Sequence, residues 1–342
     1  MSLYQNIAAV GSFAFHTLRH PLDTYLSIGP TLSEATFGLF GSSFEPSRDI
    51  GDLSGKVILV TGGNAGLGKE TVLQLAQHNP SRIYLAARDA TKACEAINSI
   101  QGSLSASVDI RHLPLDLSSF QSIHKAAETF CSECDRLDVL ILNAGTMANP
   151  PELTKEGFEI QLGTNHIGHF LLTKLLLPTL QKTVASPASD VRIVTLSSAA
   201  SHSAPSFDVM TSTPALLSSH TLSRYAASKA ANVLFASELA RRYPDILSVS
   251  VHPGTVSSEL YRYTVAMNAV SRFGIGIFST IFRSVCTGAM NQLWVAGTKR
   301  ELLVNGAYYV PIGVRGSNRF ANDADMARRL WEWTEKRIAE RS

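Results

Sequence analysis

From residue 56 onward the chain alternates between short apolar runs with little polar interruption and longer stretches with a helical period. The runs are 56–61, 82–87, 108–115, 138–143, 191–197 and 247–251, and each is followed by a segment long enough for a helix. A strand with one wet face would alternate apolar and polar residues, whereas continuous runs belong to strands covered on both faces of a parallel sheet. Parallel neighbours need long crossovers, and right-handed crossovers lay helices on both faces. The pattern therefore predicts an α/β fold, a doubly wound and mostly parallel seven-stranded sheet, with 307–310 as the seventh strand. Helices are expected over 69–78, 91–101, 118–131, 153–180, 225–242 and 324–339. Residues 1–52 read as an extension with helical patches broken at Pro21, Pro30 and Pro46, and 53–342 as a single domain. Residues 199–224 are crowded with Ser, Thr, Ala, Pro and His without a sustained period, and read as a long functional loop.

Composition removes several classes of function. With 45% hydrophobic and 17% charged residues the chain is not disordered, and a net charge of +2 is far from that of a nucleic-acid binder. Four cysteines and no Asn-x-Ser/Thr acceptor point away from a secreted, disulfide-stapled protein and towards the reducing cytoplasm. No run approaches the roughly 20 apolar residues of a spanning helix. The ten-residue, mostly apolar segment 273–282 lies between Arg272 and Arg283 and suits a buried or interfacial helix, which leaves a peripheral membrane contact open.

The first run ends in Thr61-Gly-Gly-Asn-Ala-Gly-Leu-Gly68, with a helix expected at once. Lacking Cβ atoms, Gly62 permits a tight turn, Gly66 lets backbone approach a pyrophosphate, and Gly68 lets helix pack on strand; the helix N-terminus then offers unpaired N–H donors. Ala87 ends the second run and cannot hydrogen-bond a ribose, while Arg88 follows with a guanidinium suited to a 2'-phosphate. NADP(H) is favoured over NAD on this ground. Asp89 is left as either a helix N-cap or a ribose ligand that would reverse the preference.

Tyr225 and Lys229 are four apart, on one face of a helix. A phenol of reference pKa about 10 is a poor base at neutral pH, and a neighbouring ammonium has the sign needed to activate it. The pair stands with the glycine loop, with Asn143-Ala-Gly145 at the end of the fourth run and with Ser197 and Ser198 at the end of the fifth, where ligands bind in such sheets.

These motifs, together with Pro253-Gly254 and in this order, resemble those of the short-chain dehydrogenase/reductase family over about 54–311, and the segments 157–170 and 228–235 resemble its retinol-dehydrogenase-like branch. The resemblance implies Tyr225 as general acid/base, Lys229 as its modulator and a ribose ligand, Ser198 as the hydroxyl that polarises the substrate oxygen, with Ser197 as alternative, and Asn165 as holder of a relay water. It also implies that Asn64, Leu67, Asp116, Leu117, Asn143, Ala144, Gly145, Pro253, Gly254 and Thr255 line the cofactor site. A lipophilic ketone, aldehyde or secondary alcohol is the implied substrate, with 199–224 at its mouth and about 257–290 as a lid. A homodimer is left open. The alternative is a catalytically silent, NADP(H)-binding redox sensor or scaffold.

Three further features are set aside. Cys131 and Cys134 have no second cysteine pair, and His166 and His169 no third ligand, so neither pair reads as a metal site. Trp331 and Trp333 suit core packing as well as docking.

Overall fold

The apolar runs all become strands. The structure, a computed structural model, describes residues 43–186, 189–254 and 284–341. Strands β1 (Val57–Thr61), β2 (Arg82–Ala87), β3 (Ile110–Pro114), β4 (Val139–Leu142), β5 (Arg192–Leu196), β6 (Leu247–Val251), β7 (Tyr308–Val310) and β8 (Val314–Arg315) form one sheet in the order β3-β2-β1-β4-β5-β6-β7-β8. All neighbours are parallel except β7 and β8. Every residue of β1, β4, β5, β6 and β7 is buried, as two-sided covering requires. The eighth strand, two residues at the sheet edge, is too short to carry a periodic signal.

One face is covered by α3 (Phe120–Glu133), α4 (Gly168–Val184), α5 (Thr221–Arg242) and α7 (Ala324–Ala339), the other by α1 (Gly66–Ala76), α2 (Ala90–Gln101) and α6 (Val285–Gly297). Phe130, Leu176, Leu234 and Trp331 belong to the first core; Val72, Leu75, Ile100 and Leu293 belong to the second. Trp331 is only 2% exposed and packs on Phe170 and Phe235, so it serves the core and not a docking face. No helix among the described residues is long and apolar enough to cross a membrane.

Several expectations are corrected. The stretch 153–180 is not one helix: Leu153 bridges Glu159, a short helix follows at Ile160–Leu162, and a π-helical turn at Gly163–Ile167 leads into α4. Close packing explains the glycines there, since a Cβ on Gly163 would lie 2.3 Å from Thr154 Cγ2 and one on Gly168 2.3 Å from the Leu117 carbonyl. Residues 199–224 are not irregular; they hold short helices at Ala199–Ser203, Phe207–Met210 and Thr213–Ser218 that bury Met210 and Leu216, and α5 already begins at Thr221. Of the expected lid, 257–283 lie outside the described residues. Residues 285–290 open α6, which packs on α1 and buries Ala289. Just before the boundary at 52, Ile50 is buried against Gly297 of α6.

The chain runs from β1 to β2 and β3 on one side and then returns to place β4 on the other. Such a reversal opens a crevice at the carboxyl ends of the strands. The register aligns those ends: Thr61 faces Ala86, Val60 faces Ile141, Leu142 faces Thr195 and Leu196 faces Val251.

Candidate active site

A cleft of about 530 Å³ lies along these ends, from Arg88 after β2 to Ser197 after β5. It crosses four strands, a span of roughly 14 Å. At its centre is the glycine loop. Gly62 turns at φ +66°, and a Cβ there would lie 3.0 Å from Ala144 Cα. On Gly68 a Cβ would lie 2.2 Å from the Gly62 carbonyl, so Gly68 packs helix on loop and does not line the cleft. Gly66, at φ +51°, has nothing within 4 Å of where a Cβ would stand. Gly62, Asn64, Gly66 and Leu67 line the cleft. The first residues of α1 differ from those of α2 and α3 in one respect. Asp89 and Ser119 cap the latter two through their side chains, whereas Ala65 offers α1 no side-chain cap. Its first N–H groups therefore have no side-chain cap among the described residues, which is the arrangement an anionic pyrophosphate satisfies. The residues present thus fit a dinucleotide.

At the β2 end Arg88 is exposed and lines the cleft, together with Lys92 one helical turn on. Lys92 was not foreseen, although its four-residue spacing from Arg88 could have flagged it. The Asp89 carboxylate accepts from the Lys92 backbone N–H at 3.0 Å, which makes it the N-cap of α2. Asp116, Leu117, Asn143, Ala144, Gly145 and Pro253 also line the cleft. Asn143 does more, because its amide donates to the Thr61 carbonyl at 2.8 Å and so pins the glycine loop to the end of β4. Gly254 follows at φ +84° outside the lining, and Thr255 lies outside the described residues.

At the β5 end, α5 brings Tyr225 and Lys229 to the cleft wall, both largely buried at 7% and 4% exposure. The Lys229 ammonium stands 5.6 Å from the centre of the Tyr225 ring and donates to the Leu196 carbonyl at 3.1 Å. Burial pushes it down from 10.5 to about 8. A Cβ on Gly145 would come 3.5 Å from that ammonium and 3.3 Å from Asn165 Oδ1, so only glycine leaves this corner open. The two serines divide their work. Ser197 reaches the cleft, but its hydroxyl donates to the Lys229 carbonyl at 2.8 Å; Ser198 sits outside the lining and accepts from the Ala200 N–H at 3.2 Å, which leaves its proton uncommitted among the described residues.

Asn165 lies in the π-helical turn, fully buried and away from the cleft lining. Its carboxamide accepts from Thr146 N–H at 2.7 Å and donates to the Thr146 carbonyl at 3.0 Å and to Ser228 Oγ at 2.9 Å. The side chain therefore serves as a tie between loop and helix, and the backbone carbonyl accepts from His169 Nδ1 at 2.9 Å. His169 Nε2 meets Thr61 Oγ1 at 2.9 Å and His166 Nε2 meets Thr334 Oγ1 at 3.1 Å. Both histidines are structural, and no metal-holding cluster exists among the described residues.

The family model for short chain dehydrogenase matches residues 56–269. The chain belongs to the short-chain dehydrogenase family. This short-chain dehydrogenase is 40% identical to a short-chain dehydrogenase/reductase of Armillaria gallica over 84% of its length and 91% of the relative's. It is 38% identical to human retinol dehydrogenase 11 over 82% of its length and 85% of that protein's. The crystal structure of an uncharacterized protein from Mycobacterium paratuberculosis superposes with a TM-score of 0.68 at 28% identity, covering 87% of this chain and 98% of the other. The short-chain dehydrogenase is thus an oxidoreductase with a mostly parallel, Rossmann-like α/β sheet.

Proposed function

We propose that this short-chain dehydrogenase moves a hydride between NADP(H) and the carbonyl or alcohol carbon of a lipophilic ketone, aldehyde or secondary alcohol. One observation carries the reading: a buried Tyr225 beside a buried ammonium, at the opposite end of one cleft from two cations. When bound, the nicotinamide supplies or accepts the hydride. The uncapped start of α1 holds the pyrophosphate, and Arg88 with Lys92 receives the 2'-phosphate. Ala87 offers no carboxylate there, and Asp89, which also lines the cleft, has one carboxylate oxygen engaged as the cap of α2. At the other end Tyr225 exchanges a proton with the substrate oxygen through its hydroxyl, the Lys229 cation favours the phenolate left behind, and the Ser198 hydroxyl donates to the same oxygen. Asn165 braces the loop beside them. The lipophilic class is supported by Met147 and Ile160 in the wall and by the names of the retinol dehydrogenase relatives.

The test is NADPH consumption with a panel of hydrophobic ketones and aldehydes. Tyr225→Phe should lose at least about a hundredfold in turnover and still bind NADPH. Arg88→Ala should raise the Michaelis constant for NADPH about tenfold, the weight of one charge-assisted contact, with little change for NADH. Full activity of Tyr225→Phe would overturn the acid/base assignment, and an unchanged NADPH constant would overturn the cofactor assignment. Wild-type protein that binds NADPH and consumes it with none of the panel would favour the silent sensor.

A further inference from the structure

Directly after Gly145 the chain makes a turn, 146–150, that closes on Tyr225. Ala148 within it has φ +59°, in the left-handed region that an L-residue with a Cβ rarely adopts. Strain of this kind persists only where the surroundings over-determine it, and here the surroundings can be named. Thr146 is held at both backbone groups by the Asn165 carboxamide. The Ala148 N–H donates to Gln161 Oε1 at 3.2 Å, and the amide nitrogen of Gln161 donates to the carbonyl and hydroxyl oxygens of Thr221 at 3.1 and 3.2 Å. The Asn149 carbonyl accepts from Thr221 Oγ1 at 3.0 Å and from Arg224 at 2.7 Å, and the Pro150 carbonyl accepts from Arg224 at 3.2 Å. Buried Glu159 balances the Arg224 charge at 3.4 Å. Met147, Ala148 and Tyr225 then form a small apolar cluster of their own, apart from the two main cores.

Thr221 and Arg224 lie in the first turn of α5, directly before Tyr225 on the same helix. The strained turn is therefore fastened to the helical segment whose aromatic ring it touches, and Gln161 and Arg224 do the fastening without lining the cleft. We infer that the 146–150 turn is a brace that fixes the Tyr225 ring, with Gln161 and Arg224 as positioning residues for it. The inference rests on Tyr225 being the acid/base group of the proposed reaction; the position of its ring can be tested independently.

The experiment uses full-length protein labelled with ¹³C at the tyrosine Cζ. The resonance absent in Tyr225→Phe belongs to Tyr225. Gln161→Leu should move or broaden that resonance by more than its linewidth and lower kcat about tenfold, the scale of a small misplacement, with the Michaelis constant for NADPH unchanged because the phosphate loop is untouched. Thr221→Val, which removes one hydroxyl and keeps the shape, should do the same to a smaller degree and guards against a folding failure of the first variant. Adding Ala148→Gly to Gln161→Leu should restore both signals, since glycine takes a positive φ without steric cost. A Tyr225 resonance and kcat unchanged in folded Gln161→Leu or Thr221→Val, with only the melting temperature lowered, would overturn the brace. Should Tyr225→Phe prove fully active, the functional reading fails while the resonance still decides the brace.

Discussion

Lys229 is the residue on which chemistry and stability pull in opposite directions. Its ammonium is 4% exposed and its one hydrogen-bond acceptor among the described residues is a neutral carbonyl, that of Leu196, so the folded chain bears most of the cost of dehydrating a charge. The fall of its pKa from 10.5 to about 8 expresses that cost. Below pH 8 folded and unfolded chains both carry the proton, and the full penalty stands. Between pH 8 and 10.5 the unfolded chain holds a proton that the folded chain has shed, so stability rises with pH across that window. Lys229→Met should therefore be more stable than wild type at pH 7, by on the order of 1 kcal/mol, while losing turnover. Melting temperatures taken from pH 7 to 10.5 check this. The variant's advantage should shrink as pH rises, and one that widens would contradict the assignment of a buried charge. The Tyr225–Lys229 pair was legible because a four-residue spacing survives any helical context. Its support was not, since Gln161 and Arg224 act through burial, and polar residues at helix starts carry no mark of burial in sequence.

At the scale of elements, helix starts decide which parts of the cleft are already satisfied. Asp89 caps α2, and Ala65 leaves α1 uncapped. Of the two roles open to Asp89, cap or ribose ligand, the structure displays the cap, through one carboxylate oxygen 3.0 Å from the Lys92 N–H. Asp89→Ala should then cost about 1 kcal/mol of stability and leave the ratio of NADPH to NADH activity unchanged. Urea denaturation with paired kinetic assays tests both halves, and a shift of the ratio towards NADPH would restore the carboxylate as a ribose ligand. The strands were legible because burial keeps most of their residues apolar, with few polar interruptions such as Thr61, Thr195 and Ser250. The helices were less so where packing on several sides erased the period: α6 is apolar on most faces and was absorbed into a lid, and the π-helical turn at Gly163–Ile167 interrupts a pattern that reads as one long helix. That turn matters, because it carries Asn165.

Taken as a whole, the molecule has its elements tied to one another by buried neutral histidines. His166, in the π-helical turn before α4, meets Thr334 of α7; His169 joins α4 to Thr61 at the end of β1; His252, after β6, accepts from the Ala199 N–H after β5. All three are buried, and burial lowers them from 6.5 to about 3, about 4 and about 3 respectively. Neighbouring charge acts in the same direction: His166 faces His169, His169 faces Lys229, and His252 faces His202 and Lys229. Above pH 6.5 neither folded nor unfolded chain protonates them. As pH falls from 6.5 towards 4 the unfolded chain takes up protons that the folded chain refuses, so stability is lost in that window. Most carboxylates titrate lower, near 4, so the loss should begin earlier than carboxylate chemistry alone would give. The slope of unfolding free energy against pH should approach three protons near pH 5. His166→Phe is the sharpest probe, because a phenyl ring can keep the edge-to-face contacts with Phe170 and Phe235 while removing one titrating group. It should give up the Thr334 hydrogen bond, about 1 kcal/mol at pH 7, yet lower the acid slope by about one proton. Urea midpoints from pH 4 to 7 measure both, and an unchanged slope would mean that His166 is already exposed to solvent when the chain begins to open.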